Sequence, residues 1–382
     1  MKFEMITNRQ VIFGEEKITE LAAILRWHGK RKVMLVSYSH RHEGFQKVSS
    51  VLETAGISYF PYEIQGREPD AKTIEKGRDL FLTNECDCTV ALGGGSVIDA
   101  AKTIGMLAVN GGEVEEYQLY GRQVTKEAPL FVAIPTTSGT GAEATKTAVV
   151  INNNNQLKKS LYHTSMIADI VILDPTLTVE LPKKITSATG MDALSHAIES
   201  YVSLNASPMT EMYGLKAMTL INENLEKACE EPSNLEARSG MMLASYLAGC
   251  AITAGIGIAH IMAQPLGGEY HIPHGDACSI FLPYAMELNL PYAEKKYAEI
   301  ARALGVYDDT ASDEENGRKA VARVRNLQKK IGAPTSLKGY LPEELDMPEL
   351  IDVIKRTTGH ISCNPRPLTE NLMTEIFDLA CQ

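Results

Sequence analysis

Short apolar runs alternate with amphipathic helical patterns through the first half of the chain, and no other feature restricts the fold as strongly. Residues 32–37 and 88–92 are almost continuously apolar, whereas residues 43–55 and 70–83 repeat apolar side chains at helical spacing. Strands that are apolar along their whole length are typical of a parallel sheet covered by helices on both faces. The sequence therefore predicts a parallel α/β sheet, which would bind ligands at the carboxyl ends of its strands.

The pattern changes near residue 182, after which helical repeats follow one another with few apolar strands. Just before this point, the polar run 152–155 predicts a hairpin turn after a strand at 147–151. Two domains are expected, because single cores stop growing beyond roughly 250–300 residues. We predict an α/β domain over residues 1–182 and an all-α domain over residues 183–382, with helices at 186–202, 208–228, 235–254, 292–304, 315–331 and 347–357.

Charge and cysteine content narrow the class of protein. The chain carries 37 Lys and Arg against 48 Asp and Glu, a net charge of −11, whereas a general nucleic-acid binder needs a basic face. No apolar run is long enough to predict a membrane span, and the first residues lack the pattern of an export signal. The odd number of cysteines, seven, favours a reducing compartment. We expect a cytoplasmic protein without nucleic-acid or membrane partners.

Two glycine-rich loops follow predicted strands. The first is Gly93-Gly94-Gly95-Ser96, and the second, residues 134–143, combines four hydroxyl side chains with two glycines. Glycines let the backbone approach a phosphate, and the free N–H groups that begin a helix attract an anion. Ser96 can either cap the helix or bond a phosphate oxygen. Either loop alone can be explained by packing, but two of them after parallel strands favour a nucleotide site.

Carboxylate and imidazole side chains gather between residues 192 and 274. Asp192 and His196 are four residues apart in a predicted helix and therefore share one face. His260, His271 and His274 follow in apolar, glycine-rich segments. Such a set can converge on one divalent cation. The alternative is a group of unrelated histidines with ordinary hydrogen bonds, and the clustering favours the metal site.

These motifs together resemble the iron-containing (group III) alcohol dehydrogenases of the dehydroquinate synthase-like superfamily, over essentially the whole chain. The resemblance is carried by the two glycine loops with Asp99, Lys102 and Glu143, by the segment from Gly190 to Glu199, by residues 265–275, and by Asn364-Pro365-Arg366-Pro367.

This resemblance implies an enzyme that interconverts a primary or small alcohol and its aldehyde or ketone by metal-assisted hydride transfer with NAD(P)(H). Residues 1–182 would form a Rossmann-like NAD(P)-binding domain, and residues 183–382 a helical metal-binding and catalytic domain. The aspartate and three histidines that hold the family's Fe²⁺ or Zn²⁺ correspond to Asp192, His196, His260 and His274. A homodimer or larger homo-oligomer is expected as well.

The family's coenzyme contacts are likewise carried over by resemblance. Those to the pyrophosphate and nearby ribose correspond to Gly94, Gly95, Ser96 and Asp99. Those that line the rest of the coenzyme site correspond to Thr136, Thr137, Lys159, Leu177 and Leu181.

The chain departs from the family at the position four residues after His260, where a histidine is common and Gln264 stands here. A glutamine amide does not titrate, so the proton would move through water or His271, or Gln264 would only position the substrate. We hypothesise that Gln264 contacts the substrate.

A second departure lies after the strand at 32–37. Members that select NAD often have an acidic residue there to hold the ribose diol, whereas this chain has Tyr38. Without the carboxylate NADP is not repelled, and Arg41 can meet a 2′-phosphate. Arg41 can equally be a solvated loop residue, but we favour NADPH.

Other functions stay open at the level of sequence. A glycerol dehydrogenase or a sugar-phosphate cyclase of the same superfamily would share the metal and NAD. The cyclase needs basic residues for a substrate phosphate, and no such cluster stands between residues 192 and 274. A non-catalytic filament or shell-associated protein with this fold would be favoured by loss of a metal ligand, but all four are present.

Overall fold

A computed structural model describes residues 2–64, 68–155, 157–270, 272–341, 347–357 and 361–382. The chain divides into two compact units. We call Glu4–Thr137 with Ala142–Val179 the sheet unit, and Glu180–Gln382, together with the loop Ser138–Gly141, the helical unit. The predicted domain boundary after residue 182 stays a prediction, although the change of unit at Val179 and Glu180 lies close to it.

The described part of the sheet unit is built on six parallel strands in the order β1-β8-β5-β4-β2-β3. The central strands are buried along their whole length, as the apolar runs predict. The strands of this sheet are β1 (Gln10–Phe13), β2 (Lys32–Ser37), β3 (Ser58–Glu63), β4 (Cys88–Gly93), β5 (Leu130–Pro135) and β8 (Ile170–Leu173). A separate antiparallel pair, β6 (Thr147–Ile151) and β7 (Lys158–Tyr162), confirms the predicted hairpin.

Helices connect the strands of the sheet unit: α1 (Leu21–Trp27), α2 (Glu43–Thr54), α3 (Ala71–Thr83), α4 (Gly95–Asn110) and α5 (Val114–Leu119). Side chains fix where they begin. His42 Nδ1 accepts the Gly44 N–H at the start of α2, and Asp70 accepts the Thr73 N–H at the start of α3. The parallel α/β fold expected from the sequence is confirmed.

A buried lysine ties α4 to the chain that follows β5. The ammonium group of Lys102 donates hydrogen bonds to the carbonyl oxygens of Ala142 and Thr147, each at 2.8 Å, and lies 3.5 Å from Asp99 Oδ1. The Asp99 carboxylate in turn accepts the Val149 N–H at 2.9 Å. A buried charge is costly unless it is fully hydrogen-bonded, so moving the hairpin away from α4 would leave Lys102 and Asp99 without their partners. The network therefore holds the hairpin against the helix.

The helical unit has one large apolar core. Sequence signals set several helix ends, among them the capping box at Ser312 and Glu315 and the left-handed Gly332 after Ile331. Its helices are α6 (Lys183–Val202), α7 (Pro208–Glu230), α8 (Leu235–Ala251), α9 (Ile258–Glu269), α10 (His274–Asn289), α11 (Glu294–Ala303), α12 (Asp313–Ile331), α13 (Met347–Thr357) and α14 (Glu370–Cys381).

Among the described helices, none is by itself long and apolar enough to cross a membrane. Leu235–Ala254 and Ile258–Gly267 meet the length and composition requirements only when counted together across a bend of 104°.

The all-helical second half is confirmed, but individual bounds differ from the prediction. The helix expected at 292–304 begins at Glu294, because a 3-10 turn, Leu290–Tyr292, precedes it. The sequence patterns did not predict the short edge strand β1 or the helices α10 and α14. Strand β1 is only four residues long, Gln10-Val11-Ile12-Phe13, which is too short for its apolar residues to show a strand pattern.

Candidate metal centre and coenzyme loops

Helix α6 presents a carboxylate and an imidazole one turn apart. Asp192 and His196 share one face of this helix, as the spacing predicts, and their side chains are only 4% and 8% exposed. The helix can present them from the interior because nearly all of its residues after Ile185 are buried. Polar groups placed this deep need a partner that offsets the cost of burial.

Two further helices bring imidazoles to the same carboxylate. His260 lies in the first turn of α9, and His274 is the first residue of α10. The Nε2 atoms of His196, His260 and His274 lie 3.8, 3.4 and 3.7 Å from Asp192 Oδ1. Three imidazole nitrogens therefore surround one carboxylate oxygen, which is the arrangement that the sequence predicts for a metal site.

A close helix contact positions α10. A Cβ atom at Gly275 would overlap the carbonyl oxygen of Ala188 in α6. Only glycine lets the two backbones approach this closely. The close packing of α10 against α6, the helix that carries Asp192, therefore explains why a glycine follows His274.

The residues present fit a divalent cation. Asp192 Oδ1 and His260 Nε2 are buried and have no hydrogen-bond partner among the described residues. One carboxylate and neutral imidazoles form a donor set that suits Fe²⁺ or Zn²⁺. The side chain of His274 is 28% exposed, whereas the other three side chains are almost fully buried, so the group is reached from the His274 side.

The pKa values show that this cluster attracts positive charge. Burial alone would raise the pKa of Asp192, but the neighbouring histidines outweigh it and hold the pKa well below its usual range. Burial would likewise lower the pKa of His260, yet Cys278, Asp192 and Glu199 together hold it well above its usual value. For His196 burial prevails and lowers the pKa to about 4. A cation bound here would compete with protons for the imidazole nitrogens.

Glu199 is a site residue to which the sequence analysis gave no role. Its carboxylate accepts the Ala259 N–H at 2.5 Å and lies 2.6 Å from His260 Nδ1. Holding a proton on Nδ1 leaves the Nε2 lone pair of His260 directed towards Asp192. The spacing contains the signal, since residues 192, 196 and 199 fall on one helix face.

The residue proposed to contact the substrate, Gln264, and the one proposed for the proton path, His271, have different outcomes. Gln264 lies on α9 one turn after His260 and is half-buried, so the structure places it on the helix that carries one proposed ligand. His271 lies outside the described residues.

In the sheet unit, the first glycine loop lies beside Thr136 and Thr137, the part of the second loop that belongs to this unit. Strands β4 and β5 are paired, and the Thr136 N–H donates to the Gly93 carbonyl oxygen at 3.1 Å. A Cβ at Gly94 would come within 3.1 Å of Thr137 Oγ1. Gly94, Gly95 and Ser96 are half-exposed where α4 begins, so an anion can approach the first turn of this helix.

Part of the second loop is also explained by packing. Gly141 has a φ of +57°, and a Cβ there would meet the backbone of Gly249 in α8 at 2.5 Å. Residues 138–141 belong to the helical unit, whereas Thr136 and Thr137 belong to the sheet unit. Within this loop the two threonines stay the candidates for coenzyme contact.

The remaining predicted coenzyme residues occupy varied places. Asp99 is buried beside Lys102, and Leu177 packs in the core of the sheet unit. Lys159 is half-exposed in β7, whereas the ammonium of its neighbour Lys158 pairs with Glu68 at 2.8 Å. Leu181, in the helical unit, is half-buried and its carbonyl oxygen accepts a hydrogen bond from Arg238.

The segment after β2 is exposed. Tyr38 is 46% exposed and its ring lies 5.1 Å from that of His42, while Arg41 is exposed and its N–H bonds Ser39 Oγ. A carboxylate does stand nearby, that of Glu63 at the end of β3, but it accepts the His40 N–H at 2.6 Å.

Comparison with known proteins agrees with the fold described above and with the family that the sequence motifs resemble. A family described as iron-containing alcohol dehydrogenase matches residues 8–175, and the C-terminal part of the Fe-containing alcohol dehydrogenase family matches residues 186–381. The chain is 32% identical to an NAD-dependent methanol dehydrogenase of Bacillus methanolicus, over 96% of both chains. It is 34% identical to an NADPH-dependent butanol dehydrogenase of Clostridium saccharobutylicum, over 97% of this chain and 96% of that one. A crystal structure of 1,3-propanediol oxidoreductase superposes with a TM-score of 0.95 at 32% identity, covering all of both chains.

Fold and relatives together define a metal-type, NAD(P)-dependent oxidoreductase that acts on alcohols and aldehydes. The chain belongs to the iron-containing alcohol dehydrogenase family. This favours the main interpretation of the sequence over a glycerol dehydrogenase-like or cyclase-like enzyme.

We expect Glu199→Gln to weaken metal binding, because the amide no longer stabilises the orientation and charge of His260. Loss of such an outer partner typically lowers metal affinity about 10- to 100-fold. Zn²⁺ titration against a chromophoric chelator measures the dissociation constant. Glu223→Gln, at an exposed position of α7, is the matched control. An unchanged dissociation constant in Glu199→Gln would show that Glu199 has no such role.

Proposed function

We propose that this enzyme interconverts a small primary alcohol and its aldehyde with NADP(H), using a divalent cation held by Asp192, His196, His260 and His274. The observation that carries the proposal is the approach of three imidazole Nε2 atoms to within 3.8 Å of Asp192 Oδ1. A lone buried carboxylate among imidazoles is costly unless a cation completes the group.

Each residue of the centre has a distinct part in this proposal. A bound cation would polarise the substrate oxygen as a Lewis acid, an effect worth several kcal/mol in the transition state. Asp192 offsets one of its two positive charges. Glu199 fixes the orientation of His260, and because His196 and His260 are buried, water is kept away from their side of the group.

Coenzyme binding is assigned to the loops of the sheet unit. The beginning of α4 presents the backbone N–H groups of Gly95 and Ser96 to the pyrophosphate, with the dipole of a 16-residue helix behind them. Thr137 stands next to Gly94 and can bond the same ligand. Asp99 is proposed to contact the pyrophosphate and nearby ribose, and Lys159 to line the rest of the coenzyme site, as the resemblance implies.

The preference for NADP rests on the segment after β2. Tyr38 supplies no carboxylate against a 2′-phosphate, and the carboxylate of Glu63 is occupied by the His40 N–H. The exposed Arg41 is free of any ion pair among the described residues and can form a charge-assisted bond to that phosphate. Names of similar proteins include both coenzymes, so the choice depends on residues such as these.

The function is tested by following NAD(P)H absorbance with a panel of short aldehydes. We expect turnover in protein loaded with Fe²⁺ or Zn²⁺ and its loss after chelation. Asp192→Asn should lower kcat/KM by about 100-fold or more, since several kcal/mol of polarisation is removed. His28→Ala, in the sheet unit, is the control variant. Absence of turnover with every metal, aldehyde and coenzyme would refute the proposal.

The same assay tests the coenzyme preference. Arg41→Ala should lower kcat/KM for NADPH by roughly tenfold, because a hydrogen bond to a charged group contributes about 1.5 kcal/mol or more, and leave kcat/KM for NADH nearly unchanged. Arg9→Ala removes an exposed arginine of the same unit as a control. A wild-type enzyme that uses NADH more efficiently would contradict the preference.

Gln264 is proposed to contact the substrate, because it stands one turn after His260 on α9 and cannot transfer a proton. Gln264→His should add a titrating group and change the pH profile of kcat or the order of preferred aldehydes. Gln264→Asn keeps the amide and should leave the pH profile as it is. If the histidine variant keeps both the pH profile and the substrate preference of the wild type, Gln264 does not touch the substrate.

A homodimer is also proposed, with the edge strand β1 as its contact. Val11 and Phe13 of this strand are 39% and 42% exposed, and exposed apolar edges favour pairing between chains. Light scattering should give the mass of a dimer for the wild type. Val11→Lys should give a monomer with an unchanged circular dichroism spectrum. A wild-type monomer would contradict the proposal.

We further propose a cytoplasmic location. Its support is the absence of disulfide bonds, since none of the seven cysteines, all of them in the described part of the chain, forms one and all but Cys381 are buried. Fractionation of cells that express the protein tests this location, and recovery outside the cytoplasm would contradict it.

A further inference from the structure

A thiol lies next to the proposed metal ligands. Cys278 follows His274 by one turn of α10 and is fully buried, with its Sγ 3.5 Å from His274 Nε2. The pair repeats the spacing of Asp192 and His196 on α6. Helix α10 therefore presents an imidazole and a sulfur to the same place, as α6 presents a carboxylate and an imidazole.

The donor atoms of Asp192, His260, His274 and Cys278 all lie within 4.8 Å of one another. This distance is about what two ligands on opposite sides of one cation show, given metal–ligand bonds of roughly 2.0–2.3 Å. Three of the four residues are the proposed ligands. The fourth ligand, His196, stacks on His260 with ring centroids 4.3 Å apart and approaches Asp192 from that side.

A buried cysteine is often only a small apolar side chain. Here the sulfur belongs to the apolar core of the helical unit but also borders the donor atoms of the proposed metal ligands. The buried Asp192 Oδ1 and His260 Nε2 lack hydrogen-bond partners among the described residues, and they belong to the same group of donor atoms as the sulfur. Such atoms indicate where a cation would be held, and the sulfur is one of the donor atoms around that place.

We propose that Cys278 is a sulfur ligand of this centre and that it makes the site favour Zn²⁺ over Fe²⁺ more strongly than aspartate and histidines alone would. The inference rests on the metal centre of the proposed function. On metal binding the thiol releases its proton to water and binds as thiolate. Thiolate is a soft donor that suits Zn²⁺, whereas carboxylate and imidazole accept either metal.

Cobalt substitution tests the sulfur ligand directly. Co²⁺ bound by thiolate gives an intense near-ultraviolet charge-transfer band that oxygen and nitrogen ligands do not give. We expect this band in the Co²⁺-loaded wild type, its loss in Cys278→Ser, and its retention in Cys381→Ser, which removes the exposed cysteine. Weak visible ligand-field bands should remain in Cys278→Ser and show that the folded variant still holds the metal.

Metal selectivity is the second measurement. Loss of an outer partner alone costs about 10- to 100-fold in metal affinity, so loss of a ligand should weaken Zn²⁺ binding at least tenfold. Fe²⁺ affinity, measured anaerobically, should change less, and Cys278→Ala should behave like Cys278→Ser.

The possible outcomes distinguish failure of the sulfur-ligand proposal from failure of the proposed metal-dependent function. Stoichiometric Co²⁺ binding without the charge-transfer band, or equal losses of Zn²⁺ and Fe²⁺ affinity, would overturn the sulfur ligand and leave the metal centre intact. Failure of the wild type to bind any of the three metals would overturn both.

Discussion

A carboxylate buried among apolar helices must be compensated by positive charge, and the helical unit is organised around this requirement. Asp192 is 3% exposed, and three imidazoles approach its Oδ1 from α6, α9 and α10. Glu199 adds a second negative charge that holds His260 in place. The cluster thus carries more negative charge than its histidines neutralise at their ordinary pKa values. This excess makes the centre selective for cations, and the chemistry of the family depends on it.

In the sheet unit, backbone N–H groups at the start of a helix provide the positive charge that would attract an anionic ligand. The loop after β4 leaves the first N–H groups of α4 exposed, and the pairing of β4 with β5 brings Thr137 beside Gly94. Lys102 adds rigidity, because its ammonium binds carbonyl oxygens on both sides of the hairpin's start. A lysine near a nucleotide loop suggests a phosphate contact, yet this one is fully occupied within the protein. Its contribution is to hold the loop that a ligand meets.

The sequence predicted most of what depends on local pattern. Apolar runs located the central strands, and the spacing of Asp192 and His196 placed them on one helix face. What the sequence could not supply depends on contacts between distant segments. Glu199 acquires its role only because α9 brings His260 to it, 61 residues later. The approach of α10 to Ala188 gives Cys278 its place in the same way. Propensity and periodicity describe one segment by itself, so they do not predict contacts between segments that are far apart in the sequence.

Helix α6 carries Asp192, His196 and Glu199 in successive turns, and this limits how the family can diverge. One inserted or deleted residue rotates everything beyond it by about 100° around the helix axis. Such a change between residues 192 and 199 would separate the carboxylate from the imidazole and both from the residue that orients His260. Loops between helices tolerate changes in length far better. Evolution is therefore free to alter the connecting loops, while the length of this one helix segment is fixed by the need to keep Asp192, His196 and Glu199 on one face.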